Sequence, residues 1–472
     1  MEFEVRDLAQ RLGATLLSGG DAGGGAVDGR VINSRVIDGL AIDSRLVRPG
    51  QLFAALSAER DGHDFVTSAF ASGAAAALVE RESGPDGPWP GPVLVVPSVR
   101  DALAALARLA RAGLAGTGLA GTGLAGAGPA RVVGVTGSVG KTTTKDLLAN
   151  VLARRFATVA SEKSFNNELG VPLTLANAPA GTEAAVIEMG ARGAGHIRFL
   201  CEMARPTIGV VTVVEGVHTE VMGPIDQIAR AKRELVEHLP ADGLAVLNAV
   251  DPNVAAMAAH TVAPVLSFGT GGEVHAEAIE LDDELRARFT LRSSWGPTEV
   301  HLGVRGAHNV TNALAAAAVG LWLGVDPREV AAGLAEAPAS PWRMELLRVP
   351  GGPTVLNDAY NAGPASMAAA LAAVAALPAP GAGRRIAVLG LMAELGDEGP
   401  AEHRRIAELA DELGVEVLAV GCGLYGSPWT VDSADDVVGA LGKLGPDDVV
   451  LIKGSRVAGL ERAAEALTRP GR

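Results

Sequence analysis

Nearly uninterrupted apolar runs recur at residues 132–136, 185–189, 208–214 and 244–247, with helix-spaced stretches between them. Runs that lack the polar alternation of a one-sided strand predict parallel strands covered on both faces. From Arg131 to about Ser340 the pattern therefore reads as strand and helix in turn, a doubly wound sheet. A second series follows, with strands predicted at 354–356, 386–389, 417–420 and 449–452 and helices at 366–376 and 401–412. It predicts a Rossmann-like domain, and without a G-x-G-x-x-G turn it is not expected to hold a dinucleotide. Ahead of both, 41–56 alternates a polar turn with a short apolar strand, and 61–80 gives a loop, a helix and a strand. This is a small α/β domain, and Leu103, Leu106 and Leu109 then mark a helix over 99–111. The expected fold class is α/β in three domains, at 1–98, 99–340 and 341–472.

Length agrees, since 472 residues exceed what one core can organise. Aromatic residues are only 3% against 60 glycines, so the cores must be built from Ala, Val and Leu. A net charge of -14 argues against nucleic-acid or anionic-membrane partners, which need a broad basic face. Cys201 and Cys422 have no metal-ligand spacing and read as buried thiols in a reducing compartment. The acidic start MEFEVRDLAQ has no apolar core, so no signal peptide is expected and the cytoplasm is the expected location. The uncharged stretch GLAGTGLAGTGLAGAGP is too glycine-rich for a membrane span and reads as a linker at 113–128.

Chemistry concentrates after the strand at 132–136, in T-G-S-V-G-K-T-T. Gly137, Ser138, Val139 and Gly140 make a tight turn into a helix, where backbone N–H groups and the helix dipole converge on anionic oxygens. In such a cradle Lys141 reaches the β- and γ-phosphates, the hydroxyl of Thr142 ligates Mg²⁺, and Thr143 follows in the first turn. Val135 holds the place of the first glycine of the longer P-loop pattern. Glu188 ends a strand, His218 follows a later one, and Lys232 lies on a helix. Singly each reads as a loop or solvated residue; in the order cradle, Glu, His, Lys they read as a metal-assisted phosphate site. Ser44, Arg45, Asp61, Gly62 and His63 fall in turns, where solvated loop residues are as good a reading as ligands.

The shortened cradle, SFNNELGVPLTL, EMGARGAGHI, VHTE followed by AKRE, GAHNVTNALAAAA, NDAYNAGPASM, AELGDEGPAEH and IKGSR together resemble the motifs of the Mur ligase family, over nearly the whole chain. The resemblance implies a UDP-binding N-terminal domain, a central ATPase domain and a C-terminal acceptor-binding domain. It implies an ADP-forming, ATP-dependent acid–D-amino-acid ligase of peptidoglycan synthesis, with ATP and Mg²⁺ as cofactors. NDAYN with KGSR points to the member that adds D-alanyl-D-alanine to UDP-N-acetylmuramoyl-tripeptide; a family member using another amino-acid acceptor is the alternative.

By the same resemblance, Lys141, Thr142, Glu188 and His218 hold ATP and two metal ions, and Lys232 is the lysine these enzymes carbamylate. Asn309 and Asn312 lie near adenine, while Arg343, Asp358 and Tyr360 close over the nucleotide. Asn166 and Asn167 position the muramyl peptide, Ser44 and Arg45 contact the UDP end, and Lys453 and Arg456 complete the substrate site. Two departures stand out: Gly363 where the family writes asparagine, and Leu391 where it writes aspartate. No membrane insertion is implied, and a monomer is the working expectation.

Overall fold

A computed structural model describes residues 2–18, 35–85, 87–114, 130–216, 219–378, 381 and 383–469. Most of the predicted linker, 115–128, and His218 with its neighbour Val217 lie outside them. Two compact units divide the chain: residues 1–134, 156–190 and 198–207 form one, and 135–155, 191–197 and 208–472 the other.

In the first unit a five-stranded sheet runs Thr15–Leu17, Val93–Val95, Ala76–Val79, Gln51–Ala54, Gly39–Ala41, all parallel except for the first, which pairs antiparallel. Phe53, Val66, Ala69, Val93 and Trp89 fill one side of it. The predicted helix is Val99–Gly113, capped by Ser98, whose hydroxyl accepts from Asp101 N–H at 3.2 Å. Ala130 N–H donates to Leu114 O at 3.0 Å, so the described chain on either side of 115–129 meets at one hydrogen bond. The strand Ala184–Glu188 pairs in parallel with Thr158–Ala160.

The second unit begins within the strand Arg131–Thr136 and continues into the helix Lys141–Ala153. Strands Ile208–Val211, Leu244–Asn248 and Val265–Phe268 follow one another in parallel. The first is shorter than its apolar run; beyond it Thr212 N–H still donates to Thr136 O at 3.0 Å and its hydroxyl to Val139 O at 2.6 Å. The expected strict alternation of strand and helix fails at 275–305. Three consecutive strands, His275–Leu281, Arg286–Arg292 and Thr298–Arg305, form an antiparallel sheet instead. Its middle strand, RARFTLR, buries Ala287, Phe289 and Leu291 and exposes the residues between, the period-two pattern of a one-sided strand. Helix Asn309–Trp322 then packs on the cradle helix, with Asn312 bonded to Thr144 and Gly320 so close to Val151 that a Cβ there would lie 2.5 Å from its Cγ1; the alanine run Ala315 to Ala318 is fully buried.

The C-terminal region has the predicted Rossmann-like form. Its sheet runs Glu345–Arg348, Thr354–Asn357, Val449–Lys453, Arg385–Leu389, Glu416–Val420, Thr430–Val431, antiparallel only at the first. Successive residues face opposite cores: Ala387 and Leu389 meet helices Pro364–Ala376 and Gly399–Glu412, while Ile386 and Val388 meet the side of Val437 and Ala463. Leaving Thr354–Asn357, the chain crosses the Val449–Lys453 strand before rejoining the sheet at Arg385–Leu389. Asp358 and Gly390 flank the carboxyl end of the middle strand, their N–H groups donating to Ile452 O and Lys453 O, each at 2.9 Å. Among the described residues, no helix is long and apolar enough to cross a membrane.

Candidate functional site

The cradle forms because two glycines allow a backbone that other residues resist. Gly137 has φ 147°, and a Cβ there would lie 2.0 Å from Thr212 Oγ1; Gly140 has φ 84°, and a Cβ would lie 2.4 Å from Asn312 Oδ1. Ser138 ties the turn down, its N–H donating to Val213 O at 2.7 Å and its hydroxyl to Glu215 O at 3.1 Å. Lys141 lies along the loop, Nζ donating to Gly137 O at 2.8 Å and Ser138 O at 2.9 Å. Gly137→Ala is therefore expected to cost about 1–3 kcal/mol through overpacking and to weaken nucleotide binding by at least about tenfold. Calorimetric melting and nucleotide titration check this, and an unchanged dissociation constant would contradict it.

Asn309 and Asn312 stand on the first turn of their helix, spaced to share a face. Asn312 Nδ2 donates to Asn309 Oδ1 at 2.7 Å, Asn309 Nδ2 to Arg305 O at 2.6 Å, and Thr144 Oγ1 to Asn312 Oδ1 at 3.2 Å. The pair thus braces the cradle helix at Gly140 and Thr144. His308 precedes it and is exposed.

Lys232 is on helix Ile225–Glu237, with only 3% of its surface exposed, so the solvated reading of a helix lysine does not hold. Burial first, and then the nearby Lys141 ammonium, lower its pKa to about 7, with Glu234 opposing. Glu234, two residues on, accepts from Gly195 N–H at 2.5 Å and pins the 191–195 loop; the AKRE run was its only signal in the sequence.

Arg343 approaches from the start of the C-terminal region. Its Nη2 donates to Thr142 Oγ1 at 3.0 Å and its guanidinium lies 4.0 Å from the Tyr360 ring centroid. Asp358 accepts from Met344 N–H at 3.0 Å and from Lys453 Nζ at 2.5 Å; Lys453 also donates to Asn361 O at 2.9 Å. Arg456 stacks over Trp342 at 4.4 Å. The backbone of Trp342 and Met344 is left-handed, with φ 58° and 49°. Such strain costs about 1–2 kcal/mol per residue and persists where the surroundings over-determine it. Leu391 is 36% exposed, and its carbonyl accepts from Ser455 N–H at 2.9 Å. Gly363 caps Pro364–Ala376 through its backbone and the Ser366 hydroxyl.

In the first unit Glu188 is 1% exposed at the end of its strand. Asn166 Nδ2 donates to its Oε1 at 2.8 Å, and its own N–H donates to Ser161 Oγ at 3.1 Å. Its Oε2 is buried without a donor among the described residues. A buried anionic oxygen in that condition suits a hard cation, which wants oxygen ligands. Asn167 instead caps a helix, its Oδ1 accepting from Leu169 and Gly170 N–H at 3.2 and 3.0 Å. Ser44 and Arg45 sit in a short turn; Arg45 is exposed and forms a two-pronged pair with Asp43 at 2.9 and 2.6 Å. That pair holds Asp43 down at a pKa of about 2. His63 is not solvated: it is buried, its Nδ1 bonded to Asp61 at 2.6 Å and its Nε2 accepting from Glu80 N–H at 2.9 Å, a structural role. Both cysteines are buried, and among the described residues neither is in a disulfide.

Three family models match the chain: Mur ligase family, catalytic domain, at 36–111; Mur ligase middle domain at 135–320; and Mur ligase, glutamate ligase domain, at 342–456. A UDP-N-acetylmuramoyl-tripeptide--D-alanyl-D-alanine ligase of Mycobacterium tuberculosis is 42% identical over 90% of this chain and 91% of its own length. The Escherichia coli protein of the same name is 33% identical over 91% and 93%. The crystal structure of MurF from Acinetobacter baumannii superposes with a TM-score of 0.82 at 28% identity, covering 99% of each chain. MurF ligase from Thermotoga maritima, solved in complex with ADP, gives 0.75 at 29% identity over 92% of this chain and 97% of that one.

Proposed function

This chain belongs to the Mur ligase family, and we infer from that premise its reaction: ATP-dependent joining of D-alanyl-D-alanine to UDP-N-acetylmuramoyl-tripeptide, forming ADP, phosphate and the pentapeptide precursor of peptidoglycan. The observation that carries the reading is identity of 33–42%, across about nine-tenths of the chain, with ligases of that name. The cradle at Gly137–Thr142 supplies the physical means. We further propose the division into domains at 1–98, 99–340 and 341–472, a cytoplasmic location and a monomeric state.

A carboxylate does not react with an amine unaided, because its oxygen is too poor a leaving group. The γ-phosphoryl of ATP therefore passes to the terminal carboxylate of the tripeptide, the dipeptide amine attacks the acyl phosphate, and phosphate departs. For ATP we assign Gly137, Ser138, Val139, Gly140, Lys141, Thr142 and Thr143 to the phosphates, Asn309 and Asn312 to the adenine side, and Arg343, Asp358 and Tyr360 to the closing side. In that role Lys141 exchanges its loop carbonyls for phosphate oxygens and offsets their charge. Thr142, Glu188, His218 and a carbamylated Lys232 are the proposed ligands of Mg²⁺, and the buried, donorless Oε2 of Glu188 supports that set. Bound there, Mg²⁺ would supply electrostatic stabilisation and alignment of the phosphoryl oxygens. Asn166 orients Glu188 and, with Asn167, Ser44, Arg45, Lys453 and Arg456, is assigned to the substrates.

Acceptor choice tests the reading. With D-alanyl-D-alanine, mass spectrometry should show the donor extended by two residues, and single amino acids should give no product. Extension by one residue would move the chain to another branch of the family.

A further inference from the structure

The segment Ser340–Met344 enters the C-terminal region and touches the cradle helix at two points. Arg343 donates to Thr142 Oγ1, and the Ser340 hydroxyl makes a short hydrogen bond to Asp146 Oδ2. Thr142 and Asp146 are four residues apart on one helix face, so the two contacts lie one turn from each other. Lys145, itself 2% exposed, holds the other oxygen of Asp146 at 2.8 Å.

We propose that Asp146 is a positioning residue, which by receiving the Ser340 hydroxyl sets the strap that brings Arg343 to the cradle and carries the loop bearing Asp358 and Tyr360 with it. This rests on the ligase reading above and extends it. A single contact at Arg343 would leave the strap free to pivot about it; the second fixes its direction. Beyond Arg343 the strap's backbone is bound to the loop after Thr354–Asn357: Met344 N–H donates to Asp358 Oδ1 at 3.0 Å, and Tyr360 N–H to Trp342 O at 3.1 Å. Arg343 lies on Tyr360 and Arg456 on Trp342, so two cation–π stacks lock the same five residues. With Trp342 and Met344 held left-handed between these anchors, the strap has little freedom to absorb a displacement. The path from the helix that cradles phosphate to the loop bearing Asp358 and the Lys453 pair is thus contiguous and hydrogen-bonded throughout. Neither Asp146 nor Ser340 is assigned to nucleotide, metal or peptide, so their effect must pass through the strap.

The test compares the full-length wild type with Ser340→Ala, Ser340→Thr, Asp146→Asn and the double variant Asp146→Asn with Ser340→Ala. Ser340→Ala is the cleaner probe, because it leaves the Lys145–Asp146 pair intact. It should raise KM for ATP and for D-alanyl-D-alanine about tenfold by misplacement and shift Tm by less than about 2 °C. Ser340→Thr keeps the hydroxyl and should recover most of the loss. The double variant should be no worse than Asp146→Asn alone, the mark of one shared interaction. Independent additive losses, or unchanged KM values for both ATP and the dipeptide, would overturn the proposal in favour of a purely local role. Should the wild type fail to ligate, the ligase reading falls first. Hydrogen exchange then decides the strap: Ser340→Ala should speed exchange at Met344 and Tyr360 N–H, and unchanged exchange there would overturn it.

Discussion

Replacing Lys232 by alanine is expected to abolish ligation, by about 10³-fold or more in kcat, which corresponds to about 4 kcal/mol or more of lost stabilisation. The reason lies in its surroundings. An ordinary lysine is protonated at neutral pH and cannot take up carbon dioxide. Burial and the Lys141 ammonium hold Lys232 near 7, so a large share of it is neutral amine at neutral pH. Addition of carbon dioxide to the neutral amine forms an N–C bond and releases one proton, so a group whose protonated form repels Lys141 becomes an anion that attracts it and can ligate a metal. The sign follows: the neutral amine grows as pH rises through about 7, so bicarbonate stimulation should increase between about pH 6 and 8 and fade below. Intact-mass measurement should show one added carbon dioxide in the wild type and none in Lys232→Ala. Full activity in the alanine variant would end the carbamate assignment.

Glu188→Gln carries the second largest effect. Glutamine keeps the shape and leaves an oxygen to accept from Asn166, but removes the charge from a site 1% exposed. Because Oε2 has no donor among the described residues, no hydrogen bond is lost with the charge, and Tm should change by no more than about 2–4 °C. Phosphoryl transfer should nevertheless fall about 10²–10³-fold, with a higher magnesium concentration needed for half-maximal rate. A variant with wild-type magnesium dependence would show that Glu188 accepts no metal and only organises Asn166.

Much of this was legible before any coordinates. T-G-S-V-G-K-T-T specifies its own turn, since few other uses exist for two glycines ahead of a lysine and threonines at a helix start. Continuous apolar runs such as 449–452 predict two-faced burial, and the two cores either side of that strand have that form. The antiparallel sheet at 275–305 was also readable from RARFTLR, but its alternation was overridden by the βα pattern around it. Other features depend on contacts distant in sequence. Nothing local indicates that Lys232 is buried beside Lys141, that Asn166 reaches Glu188 across 22 positions, or that Asn312 abuts Gly140. His63 read as a turn residue because its two partners, Asp61 and Glu80, meet only once the sheet has formed. Asp146 and Ser340 are 194 residues apart and carry no motif.

The central claim is that phosphate leaves from an acyl phosphate only when the dipeptide is there to receive the acyl group. The most direct measurement supplies ATP and donor tripeptide labelled with ¹⁸O in its terminal carboxylate, with and without D-alanyl-D-alanine, and weighs the phosphate released. The account predicts phosphate that carries one donor oxygen and appears in step with the pentapeptide, because the bridging oxygen departs with phosphorus when the amine attacks carbon. Unlabelled phosphate released at the same rate without the dipeptide would contradict it.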